Sequence, residues 1–254
     1  MPTRELSADL RRVLGELKLG KLLSVLPERL RQARERTMDP EDVLLIVLSD
    51  EVQRRANQRL AMKAERAHLA PELVFDEWDA EARVTYDRRL LDELRTLRFL
   101  ENHHHVLFLG PVGVGKTMLA HALGHEALRQ GHTVICEVAD KMFARLKASR
   151  LDDTHEFELR RLISVDLLVV DDLGLRALDA LETNDLYELV TARHRVASMI
   201  VTSNRDPQEW LAMLADPLHA QALVDRFVNN AYDLVVEGES YRKKQKPRAA
   251  PRPD

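Results

Sequence analysis

The chain has 254 residues, of which 45% are hydrophobic and 31% charged, and a formal net charge of -4. That composition suits one large α/β domain plus a smaller helical one, and it excludes a disordered polymer and a globally basic nucleic-acid binder. No apolar run approaches the ~18 residues of a bilayer span, the opening MPTRELSADLRR lacks the apolar core of a secretory signal, and one cysteine, Cys136, excludes an internal disulfide framework.

A reducing cytoplasm is the expected setting, with no membrane contact and with Cys136, in TVICEV, a buried strand thiol. The first hundred residues read as helical. Leucines recur at helical spacing from Leu6 to Leu19, and Asp39-Pro40-Glu41 is a helix start in which Asp39 caps and Pro40 fits the first turn. The helix that follows is expected to end before Pro71, apolar in its first half and basic from Arg54 to Arg66. Its basic half reads either as a solvated end or as a surface for a partner or DNA. LVFDEW, from Leu73 to Trp78, reads as a short extended linker, and Asp87 to Leu100 as one further helical stretch. The division expected is a helical N-terminal domain over 1–70, a nucleotide-binding domain over 71–240 and a basic, proline-rich tail over 241–254 with the composition of a disordered segment.

From Val106 the pattern changes to short apolar runs, VLFLG, TVICEV, DLLVVDD, SMIVTSN and YDLVVEG, alternating with helical segments. Such alternation predicts a parallel sheet with helices on both faces, whose ligands bind at the carboxyl ends of strands. GPVGVGKT, covering Gly110, Pro111, Val112, Gly113, Val114, Gly115, Lys116 and Thr117, fits the phosphate-binding loop and stands between a strand and a helix that begins with Met118. The glycines let the backbone wrap phosphates, Lys116 reaches the β- and γ-phosphates of ATP, and Thr117 offers its hydroxyl to magnesium. DLLVVDDLG sets Asp171 at a strand end as the magnesium partner and Asp172 beside it to orient or deprotonate water. The alternative is a carboxylate pair capping a turn.

Other residues carry two readings each. Asn204, ending SMIVTSN, is a contact to the γ-phosphate or attacking water, or else Thr202, Ser203 and Asn204 start a turn into a helix capped by Asp206. Arg226 in ALVDRF is a surface ion-pair partner or a finger that reaches a neighbouring subunit's site, and Arg242 is a weaker candidate phosphate sensor. Lys141, Arg145, Lys147 and Arg150 form a solvated face of mixed charge or a contact to DNA phosphates. Phe75 and Trp78 line an adenine pocket or pin the linker. His103, His104 and His105 are consecutive, so they cannot all face one ion on a regular element, and they read as the entry to the first core strand.

Taken in order, GPVGVGKT, LLVVDDLG, MIVTSNRDPQEW and LVDRFVNNAYDLVVEGESYR resemble the IstB-type transposition helper ATPases of bacterial insertion sequences, relatives of the DnaC-type helicase loaders within the AAA+ class. The resemblance covers nearly the whole chain. It implies an α/β AAA+ P-loop core with a five-stranded parallel sheet in the order 5-1-4-3-2, a small all-helical N-terminal domain and no C-terminal lid. It implies ATP and Mg2+ as cofactors, Lys116 and Thr117 on the nucleotide, Asp171 on magnesium, Asp172 in the place of the catalytic acid, Asn204 as sensor and Arg226 acting in trans. It also implies a homo-oligomer that assembles with ATP on duplex DNA, reshapes it and recruits or stimulates a transposase. A helicase loader would share this chemistry with another partner. A small-molecule kinase would need an arginine-rich lid, which Lys141 to Asp153 matches poorly. A nucleotide switch with little hydrolysis stays open because Asp172 is shorter than the glutamate common at that place.

Overall fold

The structure, a computed structural model, describes residues 6–78 and 84–240. It divides into two compact units, residues 1–62 and 63–254. The division falls inside one long helix, earlier than the loop before Pro71 where the sequence suggests it.

The first unit is all helical. Ser7 caps α1 (Ala8–Glu16) by accepting from the Leu10 amide. A 3-10 turn at Gly20–Ser24 leads to α2 (Leu26–Glu35) and then α3 (Pro40–Arg66). At the head of α3, Asp39 accepts from the Glu41 amide and Pro40 fills the first turn, as expected. Leu14, Leu22, Leu26 and Val47 form the core of this unit. Arg29 grips Asp50 through two hydrogen bonds of 2.7 and 3.0 Å, tying α2 to α3.

In the second unit, α3 ends with His68 in the left-handed region (φ 59°) and the Leu69 amide bonded back to the Ala64 carbonyl. Phe75–Glu77 is a 3-10 turn, not the extended linker expected, and Trp78 follows it. After the two-residue strand β1 (Val84–Thr85), the helical stretch expected from Asp87 to Leu100 is two helices, α4 (Arg88–Arg95) and α5 (Arg98–Glu101). Leu97 breaks it, with φ 62° and a side chain only 2% exposed. Burial of that leucine holds a backbone conformation its side chain disfavours.

The core then alternates: β2 (His105–Leu109), α6 (Lys116–Arg129), β3 (Val134–Val138), α7 (Ala139–Ser149), α8 (His155–Ile163), β4 (Leu167–Leu173), α9 (Ala180–Arg193), β5 (Ser198–Ser203), α10 (Pro207–Met213), α11 (Pro217–Val228), β6 (Ala231–Val235) and β7 (Glu237–Gly238). The main sheet is parallel in the order β3-β4-β5-β2-β6. Counted from β2 as the first core strand, this is the expected 5-1-4-3-2 read from the other edge. Side chains alternate across it. Leu107, Leu168, Val170, Met199 and Val201 join α7 to α11 in one core layer. Val106, Phe108, Val169 and Ile200 are buried too, on the side where α6 packs with Leu119, Ala120, Leu123 and Ala127. Among the described residues β7 is the last element, pairing antiparallel with β1.

Candidate nucleotide site

The loop between β2 and α6 is built around three glycines with positive φ: Gly110 at 142°, Gly113 at 88° and Gly115 at 105°. Each is also where another segment comes close. A Cβ on Gly110 would lie 2.0 Å from the Val236 carbonyl oxygen, one on Gly113 2.2 Å from the Ser240 Oγ, and one on Gly115 2.6 Å from the Trp78 ring. Conformation and space therefore both demand glycine. Val114 is buried and Val112 exposed, so the loop is anchored by one valine while the other faces out. Pro111 is exposed and Met118, in the first turn of α6, half-buried.

Lys116 is 6% exposed and its Nζ donates to the carbonyls of Gly110 (2.7 Å) and Pro111 (2.8 Å), spanning its own loop. Thr117 donates to Asp171, its Oγ1 3.0 and 3.1 Å from the two carboxylate oxygens. The first turn of α6 and the end of β4, far apart in sequence, thus meet at a hydroxyl and a carboxylate, the pair the motif predicts for magnesium. A third residue completes this point. Thr202 of β5, fully buried, donates to Asp171 (2.6 Å) and accepts from the Asp172 amide (2.8 Å). Asp172 has φ 59°, and the β4–β5 register shifts between Val170 and Leu173. One of the two sequence readings makes Thr202 the start of a turn. It is a strand residue, and the interstrand register that brings it to Asp171 cannot be seen in SMIVTSN alone. Asn204 is exposed just beyond the end of β5, and Ser203, buried, accepts from Trp210 Nε1 (3.3 Å).

Trp78 presses its ring on Gly115 and donates from Nε1 to the Tyr86 hydroxyl (3.0 Å), while Phe75 stacks under Arg95 at 4.5 Å. The arrangement supports the pinning of the linker. Arg226, half-buried on α11, has its guanidinium 5.5 Å over the Tyr187 ring and bonds to the Ala222 carbonyl. Arg242 lies outside the described residues.

The four basic residues on and just after α7 divide into two pairs. Arg145 bonds Glu137 and Glu158, and Arg150 takes Asp185 in a two-toothed pair. Glu137 is 5% exposed and Asp185 1%, so each arginine neutralises a buried carboxylate and is not available as a free phosphate ligand. Lys147 pairs with Asp179 at 3.1 Å, but at 58% exposure that pair is weak and exchangeable. Lys141 is exposed.

The three histidines diverge. His104 packs edge-on to Tyr232, and His105 stacks on Phe227 with its Nδ1 accepting from the Met199 amide. Burial lowers the His105 pKa to about 3, Arg193 nearby adding to it. Burial also lowers His121 to about 4; its Nδ1 accepts from the Ala70 amide, and its Nε2 lies 3.5 Å from the Cys136 Sγ. Cys136 is buried as expected, and burial raises its thiol pKa, so it is inert. Among the described residues no group of three or more His, Cys, Asp or Glu side chains forms a metal site of its own. A site of one hydroxyl, one carboxylate and a glycine cradle instead fits an ion that arrives with phosphates.

A model of the IstB-like ATP-binding proteins matches residues 12–249. The chain belongs to the IstB-like ATP-binding family. An insertion-sequence ATP-binding protein of Mycobacterium tuberculosis is 32% identical over 94% of this chain and 95% of its own length. The IS21 ATP-binding protein of Pseudomonas aeruginosa is 31% identical over 95% of this chain and 91% of its own. Among solved structures, DnaI superposes with a TM-score of 0.57 at 22% identity, over 66% of this chain and 94% of that one, a likeness of fold. AMPPCP-bound DnaA from Aquifex aeolicus superposes with a TM-score of 0.55 at 26% identity, over 70% of this chain and about half (54%) of that one. The IstB-like chain is thus an ATP-binding protein with an AAA+ P-loop core, and none of its described helices is long and apolar enough to cross a membrane.

Proposed function

We propose that this IstB-like protein hydrolyses ATP with magnesium and, in its ATP state, assembles on duplex DNA to recruit or stimulate a transposase. One observation carries the reading: Thr117 and Asp171 meet within 3.0 Å behind a glycine cradle, in a chain whose relatives are insertion-sequence ATP-binding proteins. ATP supplies the phosphoryl group to be transferred to water, and its magnesium supplies positive charge there. Lys116 exchanges its two loop carbonyls for phosphate oxygens. Thr117 and Asp171 hold the ion, with Thr202 keeping the Asp171 carboxylate in place. Asp172 orients water, Asn204 contacts the transferring phosphate, and Arg226 serves the site of a neighbouring copy. Lys141 and Lys147 contact DNA phosphates. The cytoplasm is where such a protein meets DNA.

The test is sedimentation with duplex DNA, with and without a non-hydrolysable ATP analogue, for the wild type and Lys116→Ala. Large DNA-bound assemblies that require both nucleotide and Lys116 are expected, and adding salt should dissolve them, because phosphate contacts release counterions. Preferential assembly on single strands would move the protein to helicase loading. A protein that stays monomeric and ignores DNA would sink the reading, including the trans role of Arg226.

A further inference from the structure

Helix α11 presents two side chains to one ring of α9. His219 and Arg226 stand two helical turns apart and so share a stripe of α11. Both meet Tyr187, half-buried in the middle of α9 and packed against the core. The His219 ring lies 4.4 Å from the Tyr187 ring and within 14° of parallel. The Arg226 guanidinium carbon sits 5.5 Å from the centre of the same ring. His219 is fixed in turn: its amide donates to the Asp216 carboxylate that caps α11, and its Nδ1 lies 3.8 Å from that carboxylate.

Arg226 is held differently from Arg145 and Arg150, which are neutralised by buried carboxylates. Among the described residues no carboxylate pairs with Arg226, and its hydrogen bond to the Ala222 carbonyl is long at 3.4 Å. The adjacent Asp225 turns to Asn229 instead, accepting from its Nδ2 at 2.7 Å. A carboxylate would orient the guanidinium but cancel the charge that a transferring phosphate requires. A ring face orients it through the ring quadrupole and adds no ionic charge. An arginine with no such platform would lose side-chain freedom at each turnover, a cost that prior positioning removes.

We propose that Tyr187, held flat by His219, is a positioning residue that sets the Arg226 guanidinium for the phosphates of a neighbouring copy and leaves it fully charged, a role that rests on the trans action proposed for Arg226.

Two measurements test it: steady-state turnover with magnesium and duplex DNA, and NMR of the nucleotide-free full chain carrying isotope-labelled arginine. The Arg226 side-chain signal is the one lost in Arg226→Ala. Arg226→Ala should lower kcat about a hundredfold, the lower end for removing one group that stabilises transition-state charge. Tyr187→Leu keeps an apolar side chain against the core and should lower kcat about fivefold, the worth of one cation–π contact, with KM for ATP unchanged. Tyr187→Phe keeps the ring and should match the wild type. Added to Arg226→Ala, Tyr187→Leu should lower kcat no further, because the ring then has nothing to position. In the spectra, the ring current should hold the Arg226 side-chain protons upfield in the wild type and in Tyr187→Phe, and Tyr187→Leu should release them. Wild-type kcat in Arg226→Ala would remove the trans role and the proposal with it. If Arg226→Ala has its full effect, the proposal alone is overturned by a Tyr187→Leu variant that keeps wild-type kcat, that multiplies the loss in the double variant, or that leaves the Arg226 signal in place. A Tyr187→Phe variant as impaired as the leucine one would overturn it too.

Discussion

At the scale of single residues, the Asp171 carboxylate depends on a side chain from a neighbouring strand. Thr202 spends both its donor and an acceptor lone pair inside the protein, on Asp171 and on the Asp172 amide. Thr202→Val keeps the shape of the side chain and removes both bonds, leaving the buried Asp171 carboxylate with Thr117 but without its shortest partner, and depriving the Asp172 amide of the Thr202 acceptor. The expected cost is about 1–3 kcal/mol of stability. Apparent magnesium affinity in nucleotide binding should fall about tenfold, the lower end of what losing a ligand's supporting bond costs. Thr202→Ser should recover most of the magnesium dependence, whereas a merely structural threonine would show a stability loss with magnesium unaffected. The buried histidines supply a second test. His105 and His121 hold their protons less tightly folded than unfolded, where the value is 6.5. Between those values the unfolded chain binds more protons, so the stability they contribute is complete above pH 6.5 and is lost as pH falls toward 4 and 3. Each contributes a slope of up to about 1.4 kcal/mol per pH unit in that window. Urea melts at pH 7, 6 and 5 should therefore show falling stability, and His105→Gln should flatten the slope even if it lowers the whole curve.

At the scale of elements, three segments converge on the phosphate loop: the residue after β6, Val236, the stretch after β7 through Ser240, and the residue after the 3-10 turn, Trp78. The loop is thus packed closely by other segments of the chain, and the glycines separate two effects. Gly110→Ala meets a backbone oxygen 2.0 Å away, whereas Gly131 has a positive φ of 97° but open space around it. Gly131→Ala should cost only backbone strain, about 1–3 kcal/mol, with nucleotide affinity unchanged. Gly110→Ala must displace β6 or the loop, and titration with a fluorescent nucleotide should show binding lost. Equal affinity in the two variants would mean the close packing is irrelevant to the site. The loop, Asp171 and the strand alternation were legible because each is a local pattern: contiguous glycines, or a carboxylate closing an apolar run. What escaped the sequence depends on distant partners. Nothing around Arg145 or Arg150 announces Glu137 or Asp185, so the sequence leaves a solvated face of mixed charge and a DNA contact both open, and cannot show that two of the four basic residues neutralise buried carboxylates. The break at Leu97 has no glycine or proline to signal it, because burial of the leucine enforces it. Thr202 belongs to a neighbouring strand, and register is a property of the sheet.

At the scale of the whole molecule, each unit owns a core, Leu14, Leu22, Leu26 and Val47 in one and the layered sheet in the other, yet α3 runs unbroken through the division between them. Separate cores favour separate melting, since each can lose its packing alone. A continuous helix opposes it only through the backbone bonds of one or two turns, each net worth about 1 kcal/mol, small beside the burial that holds either core. Calorimetry should therefore resolve two transitions. ATP with magnesium at a hundred times Kd stabilises what binds it by about 2.7 kcal/mol and leaves the rest unmoved. The glycine loop, Lys116, Thr117 and Asp171 all lie in the second unit, so one transition should rise with nucleotide and the other stay fixed. Lys116→Ala should abolish the rise without altering the fixed transition. A single transition that moves as a whole would show that α3 couples the units strongly enough to carry nucleotide occupancy into the N-terminal helices, making that helix the route by which ATP state reaches whatever those helices bind.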